Sequence, residues 1–175
     1  FIDKNRLVPI GEKYPKVFNK FKSISSVGGI QPGPKSRYFA LKNLPNFAVA
    51  ICYEISDGLK IRNAINNGSE LIISIANLDP YPMKIQKQFL SLARIRSIEN
   101  NKDNIIISNT GPSGLIKNDG RIAYLLDSFV EQIETLYPRF TKQNTLYNKF
   151  GEQPLMVLSF LMALLNLKSF KRLTN

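Results

Sequence analysis

The stretch FAVAICYEI, residues 47–55, decides the fold. It is an almost unbroken apolar run, rich in β-branched and aromatic residues, between Pro45 and the Asp57-Gly58 turn signal. A run of that length and composition reads as a strand buried on both faces. Working outward, residues 57–66 place Leu59, Ile61, Ala64 and Ile65 at helical spacing, with Asn67-Gly68 as a stop. ELIISIA, residues 70–76, is a second buried strand, and Met83 to Asn100 forms a long amphipathic helix. NIIIS, residues 104–108, is a third strand. Residues 114–117 and 121–126 flank Asn118-Asp119-Gly120 as a hairpin. Strand, helix, strand, helix, strand and hairpin predict an α/β domain with helices packed on a sheet. Residues 1–45 read as loop, punctuated by Pro9, Gly11, Pro15, Gly28, Gly29, Pro32, Gly33, Pro34 and Pro45.

Composition removes most catalytic chemistries. The 175 residues contain no His and one Cys. A Ser-His-Asp triad, a Cys-His pair, a His-ligated metal, a cysteine zinc cluster and an internal disulfide are all excluded. Neither a metal nor a cofactor is expected. A nucleophile must come from Cys52, a Ser, a Lys or a carboxylate. With 24 Lys and Arg against 13 Asp and Glu, the net charge is +11, which invites a nucleic-acid reading. The basic residues are scattered from Lys4 to Arg172 and no nucleic-acid motif accompanies them, so no nucleic-acid partner is expected. Anionic lipid headgroups suit the charge equally well. The chain opens on FIDKNRLVP, without an initiator Met or a signal-peptide pattern, and is expected to be the C-terminal piece of a longer protein.

Cys52 stands at the end of the first strand, followed by Tyr53 and Glu54. A thiol leaving a strand for a turn is presented where α/β sites lie, and a nearby cation would favour its thiolate. The plainer reading is a small buried hydrophobe. Glu54 is expensive to bury unless paired, so its structural alternative is an ion pair with one of the many Lys or Arg. Lys4 and Glu12 bracket KNRLVPIGE and, taken alone, read as solvated loop charges.

The C-terminus changes character. PLMVLSFLMALLNL, residues 154–167, carries no charge and is followed by Lys168, Lys171 and Arg172. As a helix it spans roughly 21 Å, short of a hydrocarbon core of about 30 Å, which suits a buried or interfacial helix. Its lack of a polar face, Tyr147 and Phe150 at one end and the basic cluster at the other favour a membrane span. A C-terminal transmembrane helix within residues 146–175 is the expectation carried forward.

Taken together, KNRLVPIGEKYP, QPGP, AICYE, ARIRSIEN, SNTGPSG and NDG resemble, in order and spacing, the nitrilase-like (carbon-nitrogen hydrolase) superfamily. The nearest likeness is to its membrane branch, the apolipoprotein N-acyltransferases. Lys4 and Glu12 match the family's K-x-x-L-V-P-x-G-E segment, with the Lys eight residues before the Glu. Ile51, Cys52, Tyr53 and Glu54 match its I-C-Y-E motif. Arg94, Arg96, Glu99 and Asn100 match its R-x-R-x-x-E-N helix, and Asn109, Thr110 and Gly111 its N-T-G turn. Where the family has S-N-D-A-W-F, in a loop that the resemblance implies contributes to acyl-chain or substrate contacts, this chain departs and reads Ala76-Asn77-Leu78-Asp79-Pro80-Tyr81.

The resemblance implies an α-β-β-α sandwich, of which residues 1–145 are the C-terminal part, and a chemistry without His. In it Cys52 is the nucleophile and Lys4 stabilises the oxyanion together with the backbone N–H of Tyr53. Glu12 and Glu54 support Lys4. The implied reaction takes an acyl chain from a phospholipid onto Cys52 as a thioester. It then passes the chain to the N-terminal amine of a diacylglyceryl-cysteine apolipoprotein. The implied setting is the bacterial inner membrane, with the domain in the periplasm and the basic tail in the cytoplasm. The family's general-base Glu precedes the Lys motif, and only Phe1, Ile2 and Asp3 precede Lys4 here, so this piece is expected to be inactive alone. Two alternatives stay open: a soluble nitrilase-type amidase acting on a small C–N bond, and a catalytically silent interaction module.

Overall fold

The computed structural model describes residues 1–9, 11, 12 and 30–173, with side chains as far as 165. The loop positions Pro15, Gly28 and Gly29, and the side chains of Lys168, Lys171 and Arg172, lie outside the described residues. Six strands form one sheet in sequence order: β1 (Tyr38–Phe39), β2 (Phe47–Ile51), β3 (Leu71–Ala76), β4 (Asn104–Ser108), β5 (Gly114–Ile116) and β6 (Ile122–Leu125). The central β2, β3 and β4 are parallel, and β1, β5 and β6 pair antiparallel to their neighbours. Parallel strands need crossovers, supplied by α1 (Gly58–Asn66) and α2 (Met83–Asn100).

Both crossover helices lie on one face of the sheet. Alternation sends Ala48 and Ala50 of β2, Ile72 and Ser74 of β3, and Ile106 of β4 toward them. There they meet Ile61, Ala64 and Ile65 of α1 and Phe89 and Ala93 of α2. Each fully buried Ile at this contact contributes about 2 kcal/mol. The buried Asn104 is satisfied by accepting from Ser74 Oγ at 3.0 Å and donating to the Ala93 carbonyl at 3.2 Å. The opposite face is different. Registered pairs Ile73–Ile105 and Ile75–Ile107 leave it apolar, and Ile75 and Ile107 are exposed there at 41% and 46%. Among the described residues the fold is therefore one helical layer on one sheet, whose second face is buried at Val49, Leu71 and Leu115 and open at Ile75 and Ile107.

The expected strand over residues 47–55 ends at Ile51, and residues 52–56 form a 3-10 helix. The expected helix 83–100 and strand 104–108 form with those bounds. The hairpin forms too, its turn closed by Gly120 N–H on the Lys117 carbonyl at 2.9 Å. A short α3 (Leu146–Phe150), capped by Thr145, leads into α4 (Gln153–Leu173). α4 contains the apolar run, and its described side chains are exposed on every side, Leu155, Met156, Phe160 and Leu165 among them. Among the described residues, no helix is long and apolar enough to cross a membrane. The expected span is corrected to a helix with 14 uncharged residues, whose apolar length falls short of the hydrocarbon core.

Candidate active site

Cys52 sits where β2 gives way to the 3-10 helix Cys52–Ser56, with a backbone φ of +55°. That left-handed conformation costs a non-glycine residue about 1–2 kcal/mol and persists only where its surroundings hold it. The holding group is the Glu54 carboxylate, whose Oε2 accepts the Ile51 N–H at 2.9 Å and closes the turn around the cysteine. The half-buried thiol is left at the C-terminal end of a parallel strand, as α/β sites generally require.

Lys4 approaches from the N-terminal segment. Its Nζ lies 2.6 Å from Glu12 Oε1, and Glu12 Oε2 accepts the Val8 N–H at 2.7 Å. The Glu12 N–H in turn donates to the Val8 carbonyl at 2.9 Å. The eight-residue separation of Lys and Glu thus closes a small loop in which the carboxylate fixes the ammonium.

Glu54 is the joint between the two halves. Its Oε1 accepts the backbone N–H of Asn5 at 2.5 Å and of Arg6 at 3.0 Å, immediately after Lys4. Its Oε2 accepts Arg37 Nη1 at 2.7 Å in addition to Ile51 N–H. Glu54 and Arg37 are each only 1% exposed, so this is a fully desolvated ion pair. Such a pair is tolerable because four donors satisfy the carboxylate. The expected ion pair for a buried Glu54 is therefore present, with Arg37 as its cation. The segment is closed on its far side by Gly33, whose N–H donates to the Lys4 carbonyl at 2.9 Å. A Cβ at Gly33 would lie 2.4 Å from the Asp3 Cβ, so only glycine allows this approach. Arg6 also lies over the Tyr53 ring, 5.1 Å from its centre.

Beside Cys52 and Tyr53 opens an apolar cleft of ≈ 140 Å³, walled by Val8, Ile55, Leu78, Tyr81, Ile85 and Phe89. Leu78 and Tyr81 come from the loop in which the chain departs from the family pattern. Gln86 secures that loop by donating to the Tyr81 carbonyl at 3.1 Å, and Asn109 Oδ1 accepts the Leu78 N–H at 3.0 Å. The N-T-G turn therefore shapes the wall of the site from behind. A larger cleft of ≈ 840 Å³ lies along that turn, between Ser108, Thr110 and residues 126–133.

The R-x-R-x-x-E-N helix lies elsewhere. Arg94 Nε donates to the Gly120 carbonyl at 2.8 Å, securing the hairpin. Asn100 Oδ1 accepts Asn148 Nδ2 at 2.7 Å, and Thr145 Oγ1 donates to the Glu99 carbonyl at 2.5 Å, docking α3. Arg96 pairs with Glu99 at 3.1 Å, while burial of that carboxyl outweighs the guanidinium and raises its pKa. This motif joins the C-terminal segment to the domain and does not line the cysteine cleft. Glu54 joins the Lys4 segment to the turn that carries Cys52 and Tyr53, and Glu12 pairs with Lys4. The structure adds Arg37, which has no motif around it and whose one signal was that a buried Glu54 needs a cation.

No family model matches the chain. It is 58% identical over its whole length to an apolipoprotein N-acyltransferase of Prochlorococcus marinus subsp. pastoris, of which it covers 35%. It is 44% identical over 89% of its length to an apolipoprotein N-acyltransferase of another Prochlorococcus marinus strain, of which it covers 31%. The chain spans about a third of the length of these curated relatives. Its fold is similar to that of Saccharomyces cerevisiae Nit3, a nitrilase-superfamily member, with a TM-score of 0.51 and 20% identity. That match covers 57% of this chain and 39% of the other.

Proposed function

The chain belongs to the apolipoprotein N-acyltransferase family, and from that premise we propose that it carries the cysteine and lysine of a membrane-bound acyltransferase. The observation that carries the reading is the joint at Glu54, which ties the Lys4 segment to the turn presenting Cys52. The Cys52 thiolate attacks the ester carbonyl of a phospholipid, and the tetrahedral oxyanion is held by Lys4 and the Tyr53 N–H. Collapse expels the lysophospholipid oxygen, which takes a proton, and leaves a thioester on Cys52. The N-terminal amine of a diacylglyceryl-cysteine apolipoprotein then attacks that thioester, forms the amide and returns the thiol. The apolar walls of the Cys52 cleft suit an acyl chain better than a small polar amide.

Neither Glu12 nor Glu54 is placed to act as the base. Glu12 is engaged by Lys4 and Val8, and Glu54 by four donors. The base is a group outside these residues. The exposed Ile75 and Ile107, with the half-buried Ile73 and Ile105 beside them, would pack against the second sheet of an α-β-β-α sandwich from the same longer protein. In this reading residues 1–145 belong to that sandwich and residues 146–175 form a membrane-associated segment. Its exposed apolar side chains contact lipid at the surface of the bacterial inner membrane, where the basic residues beyond them meet anionic headgroups. The test is to incubate the full-length protein with a phospholipid of known acyl chain and weigh the Cys52 peptide. The mass of that chain on Cys52, absent in Cys52→Ser, supports the reading. An unmodified cysteine together with hydrolysis of a small amide would replace it with the amidase.

A further inference from the structure

We propose that Arg37 is a positioning residue for Lys4, a role that rests on the reading of Lys4 and Cys52 above. The side chain is 1% exposed and donates to three separate stretches of chain. Nη1 reaches Glu54 Oε2 at 2.7 Å. Nη2 reaches the Asp3 carbonyl at 2.7 Å and the Pro34 carbonyl at 2.8 Å, and Nε reaches the Ser36 carbonyl at 2.9 Å. Asp3 immediately precedes Lys4, and the N–H groups of Asn5 and Arg6, immediately after it, are held by Glu54. The lysine is thus gripped on both sides by one ion pair: by Arg37 directly at Asp3, and through Glu54 at Asn5 and Arg6. The same Glu54 closes the turn under Cys52.

A plain structural ion pair would need only the Arg37–Glu54 contact. The two further donations to Asp3 and Pro34 hold the lysine segment against the glycine loop 32–34. Only a planar guanidinium supplies these directions together; a lysine ammonium at this depth reaches the carboxylate or the carbonyls. Arg37→Lys therefore keeps a charge in the core while releasing the Lys4 segment. Misplacement of a catalytic group by about 1 Å slows chemistry by on the order of 100-fold without altering substrate binding.

The experiment is a double-mutant cycle in the full-length protein in detergent, with Arg37→Lys, Lys4→Met and both together. Two rates are read: thioester formation from phospholipid, and alkylation of Cys52 by iodoacetamide. Arg37→Lys is expected to slow thioester formation by on the order of 100-fold, with KM for phospholipid within about twofold. In the Lys4→Met background the same substitution has little further effect on either rate, because the group that Arg37 positions is gone. Gly33→Ala, which pushes the same Asp3 backbone without touching a charge, shows the same dependence on Lys4 and serves if Arg37→Lys fails to fold. Wild-type rates in Arg37→Lys, or equal losses with and without Lys4, overturn the proposal. If the wild-type protein forms no thioester, the acyltransferase reading falls, and the alkylation cycle still decides the role of Arg37.

Discussion

Lys4 Nζ and Glu12 Oε1 lie 2.6 Å apart, and the second Glu12 oxygen holds the Val8 N–H of the same loop. The pair is partly solvated, with side-chain exposures of 15% and 24%, so it contributes at most about 1 kcal/mol to stability. Its value is in direction. Glu12→Gln keeps an acceptor for Val8 but loses the charge that holds the ammonium. It is expected to lower Cys52 thioester formation by about 100-fold, the low end of the range for losing an oriented oxyanion donor, with an unchanged thermal midpoint. A midpoint that falls as steeply as the rate would make Glu12 a structural residue instead.

Glu54 behaves in the opposite way. Removing its charge leaves the Arg37 guanidinium buried and unpaired, which costs about 3–5 kcal/mol. Glu54→Ala is expected to lower the thermal midpoint sharply and abolish acyl transfer together. Arg37→Met combined with Glu54→Met removes both charges but leaves the N–H groups of Asn5, Arg6 and Ile51 and the carbonyls of Asp3, Pro34 and Ser36 without these partners. It is therefore expected to recover only part of the stability and to remain inactive. If the double variant were less stable than Glu54→Ala, burial of the pair would be a net gain to the fold.

Much of this was legible in the sequence, and the failures have local causes. The α2 helix and β4 strand keep the expected limits. But α2 is bounded by Pro82 and a left-handed Asn101, and it buries Gln86, Phe89, Ala93 and Ser97 while Ile85 and Ile95 of the expected stripe stay exposed. The first strand stops at Ile51, four residues early, because a carboxylate captures the Ile51 N–H, and apolar periodicity carries no trace of that bond. Strand β1, two residues long, has no periodicity to read, and α3 is announced only by the Thr145–Asn148 cap. Lys4, Glu12, Cys52 and Glu54 are singled out in the sequence by ordered motifs. Arg37 stands 17 residues from its partner in a loop, where no spacing rule applies.

Gly114 tests the register of the hairpin edge. It opens β5 with φ +154°, paired with Leu125, and a Cβ there would lie 2.2 Å from the Tyr124 carbonyl oxygen. That atom is backbone and cannot turn aside. Gly114→Ala is expected to destabilise the full-length protein by about 2–3 kcal/mol, read as a lower thermal midpoint. An unchanged midpoint would show that β6 does not hold this register.

Lys102 gives the domain a predictable response to alkaline pH. The residue is fully buried just before β4, its Nζ donating to the Gln143 carbonyl at 2.5 Å. Burial lowers its pKa from 10.5 to about 8, with nearby Glu70 opposing the shift. The folded chain therefore releases this proton more easily than the unfolded one, and between those values the unfolded chain binds more protons. Stability must rise with pH through that window. The thermal midpoint of the wild-type protein, relative to Lys102→Met, is expected to climb as pH is raised from about 8 toward 10.5. Below that window the variant, which buries no ammonium, gains relative to wild type. Parallel midpoint curves for the two proteins would mean that Lys102 titrates normally, with its ammonium still reached by water.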